Sequence, residues 1–343
     1  MGNLYQNQLD LHRSPSYTDI LTSKAENVIL RKGDIAITLT GTNNKRDFGY
    51  TYIFNDEKNL LLNQRCGLIR TTGNPYFLSC LLKTYAFLNQ FFESATGGTG
   101  NQANVSTKAM EMFSVNIPSL KEQKKIGELM ALLDERIATQ NKIIEKMQTL
   151  IKGIVDSTIL RKEKNAIVGD VCSISEQIRA EANIDDIITV RLHGNGVCKS
   201  SAENLQLGAT QYYRRRAGQL IYGKQNFHNG AIGIVPISLD NGITSKDIPS
   251  FDIDEMKCNS VYLLAQLQSP QYYKPAEALT TGTGSKRLKE ETFLKMPIVL
   301  PNKREQDNIA TLIISISANL DQAKKMLDLF SIQKQYLLRQ MFI

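Results

Sequence analysis

The feature that most restricts the fold of this chain is that its second half repeats its first. The segment IPSLKEQKKIGELMALLDERI, from Ile117, has its counterpart in VLPNKREQDNIATLIISISANL, from Val299. Pro118 aligns with Pro301, Glu122-Gln123 with Glu305-Gln306 and Ile126 with Ile309, at an offset of 183 (301 − 118). Upstream, TGGTGN (residues 96–101) aligns with TTGTGS (280–285), Gly100 over Gly284. Further upstream, RKGDIAI (31–37) aligns with RRAGQLIY (215–222), Gly33 over Gly218. The order is constant and the offset drifts by only two residues, so the chain is an internal duplication.

Each repeat closes on a long helical pattern. In the first, apolar residues recur at Ile126, Met130, Leu133, Ile137, Ile144, Met147, Ile151 and Ile154, with Gln140 the one polar residue in phase. In the second they recur at Ile309, Ile313, Ile316, Leu320, Ala323, Leu327, Phe330, Leu337 and Met341, with Lys334 in the gap. Alternating spacings of four and three make a narrow coiled-coil seam, not the broad face of a globular helix. At 1.5 Å per residue, roughly 35 residues give a helix of roughly 50 Å. Two equal stripes that follow near-identical segments predict that the helices pair with each other.

The regions between are strand-like and turn-rich. VILRKGDIAITLTG (28–41) predicts strand, glycine turn, strand, and QLIYGKQNFHNGAIGIVPI (219–237) repeats the pattern with a tight turn at Asn229-Gly230. A short amphipathic helix follows in each half, over 76–92 and over 261–273. Each unit is therefore a mixed globule of roughly 110–140 residues leading into a long helix.

Composition sets the outer limits. A 42% hydrophobic content supports packed cores in a chain of 343 residues. The net charge of +7 favours a polyanionic partner without requiring one. No apolar run approaches the ~20 residues of a membrane span, and no signal-peptide pattern opens the chain. The five cysteines (Cys66, Cys80, Cys172, Cys198, Cys258) show no metal spacing, and as a scattered, odd set they predict a reduced, cytoplasmic protein.

On the duplicated GTG segments, the duplicated P-x-x-x-EQ helix starts, LLLNQRCGLIR (60–70), and NGAIGIVPI followed by NGITSKDIPSFDID (241–254), the chain resembles the specificity subunits of Type I restriction-modification systems. The resemblance covers nearly the whole chain. It implies an α+β fold with two mixed α/β target-recognition domains, each followed by a long helix, the two helices pairing as an antiparallel coiled coil. The boundaries are then 1–118 and 163–301 for the recognition domains, and 119–162 and 302–343 for the spacer helices. It further implies a non-catalytic subunit that binds double-stranded DNA at a bipartite target and recruits two methyltransferase subunits and restriction subunits. The chain itself would carry no cofactor, S-adenosylmethionine belonging to the methyltransferase partners. Partner docking is expected around Glu122, Gln123, Glu305 and Gln306.

The sequence departs from the family pattern at one place. The second domain opens with AIVGDVCSI (166–174), which is similar to the family's first strand, whereas Gly33 has only 32 residues before it and no VGDV-like strand lies between Met1 and Leu30. The first domain is expected to be shortened, or to begin differently.

Arginine and lysine suit guanine edges, and asparagine and glutamine suit adenine edges, so candidate DNA contacts are such residues at predicted loop tips. In the first half these are Lys45, Arg46, Asn101 and Gln102. In the second they are Tyr212, Tyr213, Arg214, Arg215, Lys224, Gln225, Asn226, His228, Lys286 and Arg287. Chemistry finds little purchase elsewhere. TGTGSKR fails the phosphate-loop spacing and is read as a tight turn, Asn74-Pro75-Tyr76 as the turn before a helix, and Asp185-Asp186 as a solvated turn. The three histidines (His12, His193, His228) stand in no metal spacing. Two other classes stay open: a coiled-coil interaction scaffold that does not bind DNA, and a nuclease or methyltransferase acting alone.

Overall fold

The computed structural model describes residues 3–13, 15–18, 23–55, 60–97, 101–200, 210–282 and 285–342. Gly100 and Gly284 of the GTG segments lie outside the described residues. The chain forms two compact units, Met1–Lys142 with Lys324–Ile343, and Ile143–Ala323. Each holds one globule together with part of both long helices.

The long helices run over Leu120–Val155 and Lys303–Met341, so at 1.5 Å per residue they are about 54 and 58 Å long. Their starts are built from the duplicated segment. Ser119 caps the first helix, its N–H and Oγ both donating to Glu122 Oε2 at 3.1 and 2.6 Å, a capping box that satisfies otherwise orphaned donors. Asn302 caps the second, its Oδ1 accepting from Glu305 N at 3.0 Å. Every residue of the predicted seams is buried or half-buried, so the phase read from the sequence is the phase of the fold.

Pairing is antiparallel within each unit. In the first, Asp134 pairs with Lys334 while Arg136 lies over the Phe330 ring, the order reversing from one helix to the other. Met130 and Leu133 pack there with Leu337, Leu338 and Met341. In the second, Val155 and Ile159 share the core with Ile309 and Ile313, and Lys162 pairs with Glu305. Each fully buried aliphatic side chain of this kind contributes about 1.5–3 kcal/mol.

The first globule is organised on an antiparallel sheet with Ile35–Thr38 between Thr51–Ile53 and Cys66–Ile69. The second has the equivalent strands, Leu220–Tyr222 between Ile232–Ile234 and Ser250–Ile253. A turn with a left-handed glycine enters the central strand in each, Gly33 at φ +89° and Gly218 at φ +87°, a conformation that a Cβ would strain. A small hairpin precedes each turn, Leu4–Tyr5 with Gln8–Leu9 in the first unit and Ile188–Val190 with Val197–Lys199 in the second. The second sheet carries a fourth strand, Cys172–Ile174, on the edge of Ser250–Ile253, and Ala166–Ile167 pairs with Pro297–Ile298. These come from the AIVGDVCSI segment. Among the described residues, no strand occupies the corresponding edge of Cys66–Ile69.

The amphipathic segment over 76–92, expected as one helix, is two. Pro75–Leu81 ends before Thr84, whose side chain caps a fresh helix at Tyr85–Glu93. In the second unit Pro270 divides the segment likewise, after Ser260–Leu267.

Candidate nucleic-acid interface

The four first-unit candidates form one patch. The strands Thr40–Thr42 and Gln102–Asn104 pair with Thr42 opposite Gln102, and Asn43 N donates to Asn101 O at 3.0 Å. The connected turn presents Lys45 and Arg46, both exposed. Arg46 has φ +47° and holds its guanidinium over the Phe92 ring at 5.1 Å, while Asn101 has φ +71°. The GTG arm closes the same ladder, Thr96 opposite Asn104 and Gly97 opposite Ala103.

In the second unit three loops meet at Asp247. Its backbone oxygen accepts from Lys224 N at 2.9 Å and its carboxylate from Arg287 Nη2 at 3.3 Å. Lys224 O in turn accepts from Leu288 N at 2.9 Å. The GTG segment reaches this cluster through a hairpin, Thr281 and Arg287 exchanging two backbone hydrogen bonds. Lys224, Gln225, Asn226, Lys286 and Arg287 are thereby gathered on neighbouring loops, the amides and the Lys286 and Arg287 side chains exposed. Each cation already has a carboxylate: Lys224 with Glu290 at 2.7 Å, Lys286 with Glu277 at 3.8 Å and Arg287 with Asp247. The two exposed pairs, those of Lys286 and Arg287, hold roughly 0–1 kcal/mol each, so exchanging their carboxylates for another anion costs little, whereas the Lys224–Glu290 pair is largely shielded from solvent.

The remaining second-unit candidates do not join them. Tyr212 and Tyr213 are buried on the strand Tyr212–Arg214, Tyr212 packing with Ile187 and Ile243 and the Tyr213 ring lying under the Arg215 guanidinium at 5.7 Å. Arg214 is exposed but lines another cleft, with Glu176, Arg216 and Asp252. Arg215, expected at a loop tip, is fully buried, with its guanidinium in the core. His228 is half-buried beside Asn229. The run YYRRR misled because its charge and aromatic surface were read as a loop tip, whereas it forms a strand paired on both sides, with Arg179–Ala180 and Ile243–Ser245. Asp247, on which the loops converge, was not among the candidates. Its one sequence signal was its place in the NGITSKDIPS stretch.

At the helix starts, the glutamines expected to dock partners face inward. Gln123 Oε1 accepts from Asn74 N at 3.1 Å and its Nε2 donates to Pro118 O at 2.9 Å. Gln306 Oε1 accepts from Asn259 N at 2.9 Å, and its Nε2 donates to Lys257 O and Pro301 O at 3.1 and 2.8 Å. Asn74 and Asn259 are themselves the caps of Pro75–Leu81 and Ser260–Leu267. Each glutamine therefore clamps a long helix to the start of a short one, and its amide is closed to a partner. Glu122, in its capping box, and Glu305, beside Lys162, stay at the surface.

This duplicated geometry is shared with known proteins. Residues 2–149 match the family model described as the Type I restriction modification DNA specificity domain. The MjaVIII specificity subunit of a Type I restriction enzyme from Methanocaldococcus jannaschii is 22% identical over 265 residues, 68% of this chain and 62% of that relative. The HindI specificity subunit from Haemophilus influenzae is 25% identical over 159 residues, 46% of this chain and 34% of that relative. The chain thus spans about three fifths and one third of the length of these relatives. Among solved structures, the S subunit of a Type I restriction-modification system from M. genitalium shares the fold at a TM-score of 0.62 and 14% identity, over 96% of this chain and 86% of that one. The fold is therefore a duplicated one, two mixed globules each leading into a long helix, and the first of them matches a DNA specificity domain. Over its first half the chain matches the specificity-domain model of Type I restriction-modification systems, and its fold is similar to that of a specificity subunit of such a system.

Proposed function

We propose that this chain is a non-catalytic, cytoplasmic subunit that reads a bipartite target in double-stranded DNA, one half-site for each globule. It recruits two methyltransferase subunits and, with them, restriction subunits; S-adenosylmethionine is bound by the methyltransferases. The observation that carries this reading is the duplication of an exposed basic-and-amide loop cluster ahead of each long helix, in a chain whose residues 2–149 match a DNA specificity domain. The donors fit both tasks of such a surface, lysine and arginine toward phosphate and asparagine and glutamine toward base edges. Phosphate contacts release counterions, so binding weakens steeply with salt.

The test is binding selection from a random-sequence duplex pool, with the chain alone and with its cognate methyltransferase subunit. Two short motifs at fixed separation are the expected result. One motif alone means that a single globule reads. No enrichment in either state overturns the reading in favour of an interaction scaffold.

A further inference from the structure

The second unit buries a cation where the first buries a leucine. The two glycine turns fix the equivalence, and the backbone bonds extend it: Leu30 N donates to Leu60 O at 3.0 Å, as Arg215 N does to Gly242 O at 2.7 Å. The adjacent pairs, Ile29 with Leu61 and Arg214 with Ile243, bring Leu62 into register with Thr244. Beyond the turn, Ala36 lies opposite Leu68 as Ile221 lies opposite Ser250. The first unit therefore places Leu30, Leu62 and Leu68 in one apolar cluster, where the second has Arg215, Thr244 and Ser250.

In the second unit these positions are joined by hydrogen bonds. Arg215 Nε donates to Thr244 Oγ1 at 2.7 Å, Nη1 to Ser250 Oγ at 2.9 Å and to Gln177 Oε1 at 3.4 Å, and Nη2 to Ile248 O at 3.1 Å. Thr244 Oγ1 donates onward to the same Ile248 O at 2.9 Å. All these acceptors are neutral. Burial pulls the guanidinium down to about 10, which leaves it charged at neutral pH. A buried cation is costly unless its donors are satisfied, and an apolar trio serves the same turn and the same strand register in the first unit. The fold position does not call for the arginine. What the arginine holds is the loop over 245–249, gripped at both ends and at one internal carbonyl. That loop carries Asp247, which gathers Lys224 and Arg287.

We propose that Arg215 is a positioning residue for sequence reading by the second unit: it touches no DNA, but fixes the Asp247 loop and through it the geometry of Lys224 and Arg287. This rests on the DNA-reading function above. It predicts that specificity and affinity separate. In the full chain, the trio of the first unit is transplanted as Arg215→Leu, Thr244→Leu and Ser250→Leu together, with Thr244→Val as a milder variant that removes one hydroxyl at constant volume. Each is compared with the unaltered chain in selection from the random duplex pool, and then for affinity to the enriched duplex and to a scrambled one.

The expected result is affinity for the scrambled duplex within about twofold of the unaltered chain, with at least tenfold loss of discrimination at one half-site and the other motif retained. Thr244→Val should show a smaller loss in the same half-site. Undiminished discrimination in the folded triple variant overturns the proposal, as does an equal fall in affinity for both duplexes. If the triple variant does not fold, Thr244→Val decides, and unchanged discrimination there is fatal. A chain with no enriched motif before any substitution fails the DNA-reading function itself, a result separate from these.

Discussion

Two glutamines, 183 residues apart, carry more of this architecture than their charged neighbours (306 − 123). Gln306, itself buried, satisfies one backbone donor and two carbonyls at the edge of the core, and a buried group left without its partner costs about 1–3 kcal/mol. Gln306→Ala should therefore lower unfolding free energy by that order in urea titrations, whereas Glu305→Ala, which breaks a half-exposed ion pair, should cost under about 1 kcal/mol. Equal losses would show that the clamp holds nothing. The thiols offer a second test at this scale. Burial pushes Cys80 up to about 11 and Cys172 and Cys258 up to about 12, so they stay protonated and unreactive at neutral pH. Iodoacetamide at pH 7.5, read by peptide mass spectrometry, should label Cys198, which is half-buried, ahead of all three in the native chain. The glutamines were visible as a repeated pair, but their inward direction was not, since Asn74 and Asn259 lie some fifty residues earlier and only the fold brings them together.

At the scale of elements, the long helices are the best-read part of the chain. A heptad stripe depends on spacings of three and four residues, which the fold cannot alter once the segment is helical. Lys334, the polar interruption of the second stripe, is explained by its partner: it pairs with Asp134, which also accepts from the Tyr76 hydroxyl. Removing one member leaves a partly desolvated charge. Asp134→Ala is expected to destabilise by about 1–3 kcal/mol, while Asp134→Leu with Lys334→Leu should recover part of that loss, because apolar packing replaces the pair without stranding a charge, although the Tyr76 hydroxyl loses its acceptor. A double-mutant cycle without coupling between Asp134 and Lys334 would remove this account. Gly127 shows the same dependence on a distant neighbour. A Cβ there would come within 2.5 Å of Asn74 Oδ1, so the helix tolerates a poor helix former to approach that cap. The amphipathic segment over 76–92 was misread as continuous because Thr84 signals a helix start only once its side chain turns to accept from Phe87 N.

For the whole molecule, the proposed function makes the long helices a ruler. Inserting seven residues at paired seam positions of both helices preserves the heptad phase and adds about 10.5 Å, or roughly three base pairs at 3.4 Å each. Selection from the random duplex pool should then return the same half-sites with a longer gap; altered half-sites, or an unchanged gap, would deny the helices that role. The sequence by itself determined the duplication, the order of globule and helix, the phase of both seams and the family resemblance, because all of these rest on spacing along the chain. The difference between the halves was also legible, as an AIVGDVCSI segment present only once; its VGD portion is a short helical turn, and the residues after it, Cys172–Ile174, form the fourth strand of the second sheet. Only the tertiary structure decided which polar residues face outward. Arg215 and Gln306 are buried, and Asp247 joins three loops, because hydrogen bonds between residues far apart in sequence satisfy these groups, and no local pattern encodes where a distant partner will stand.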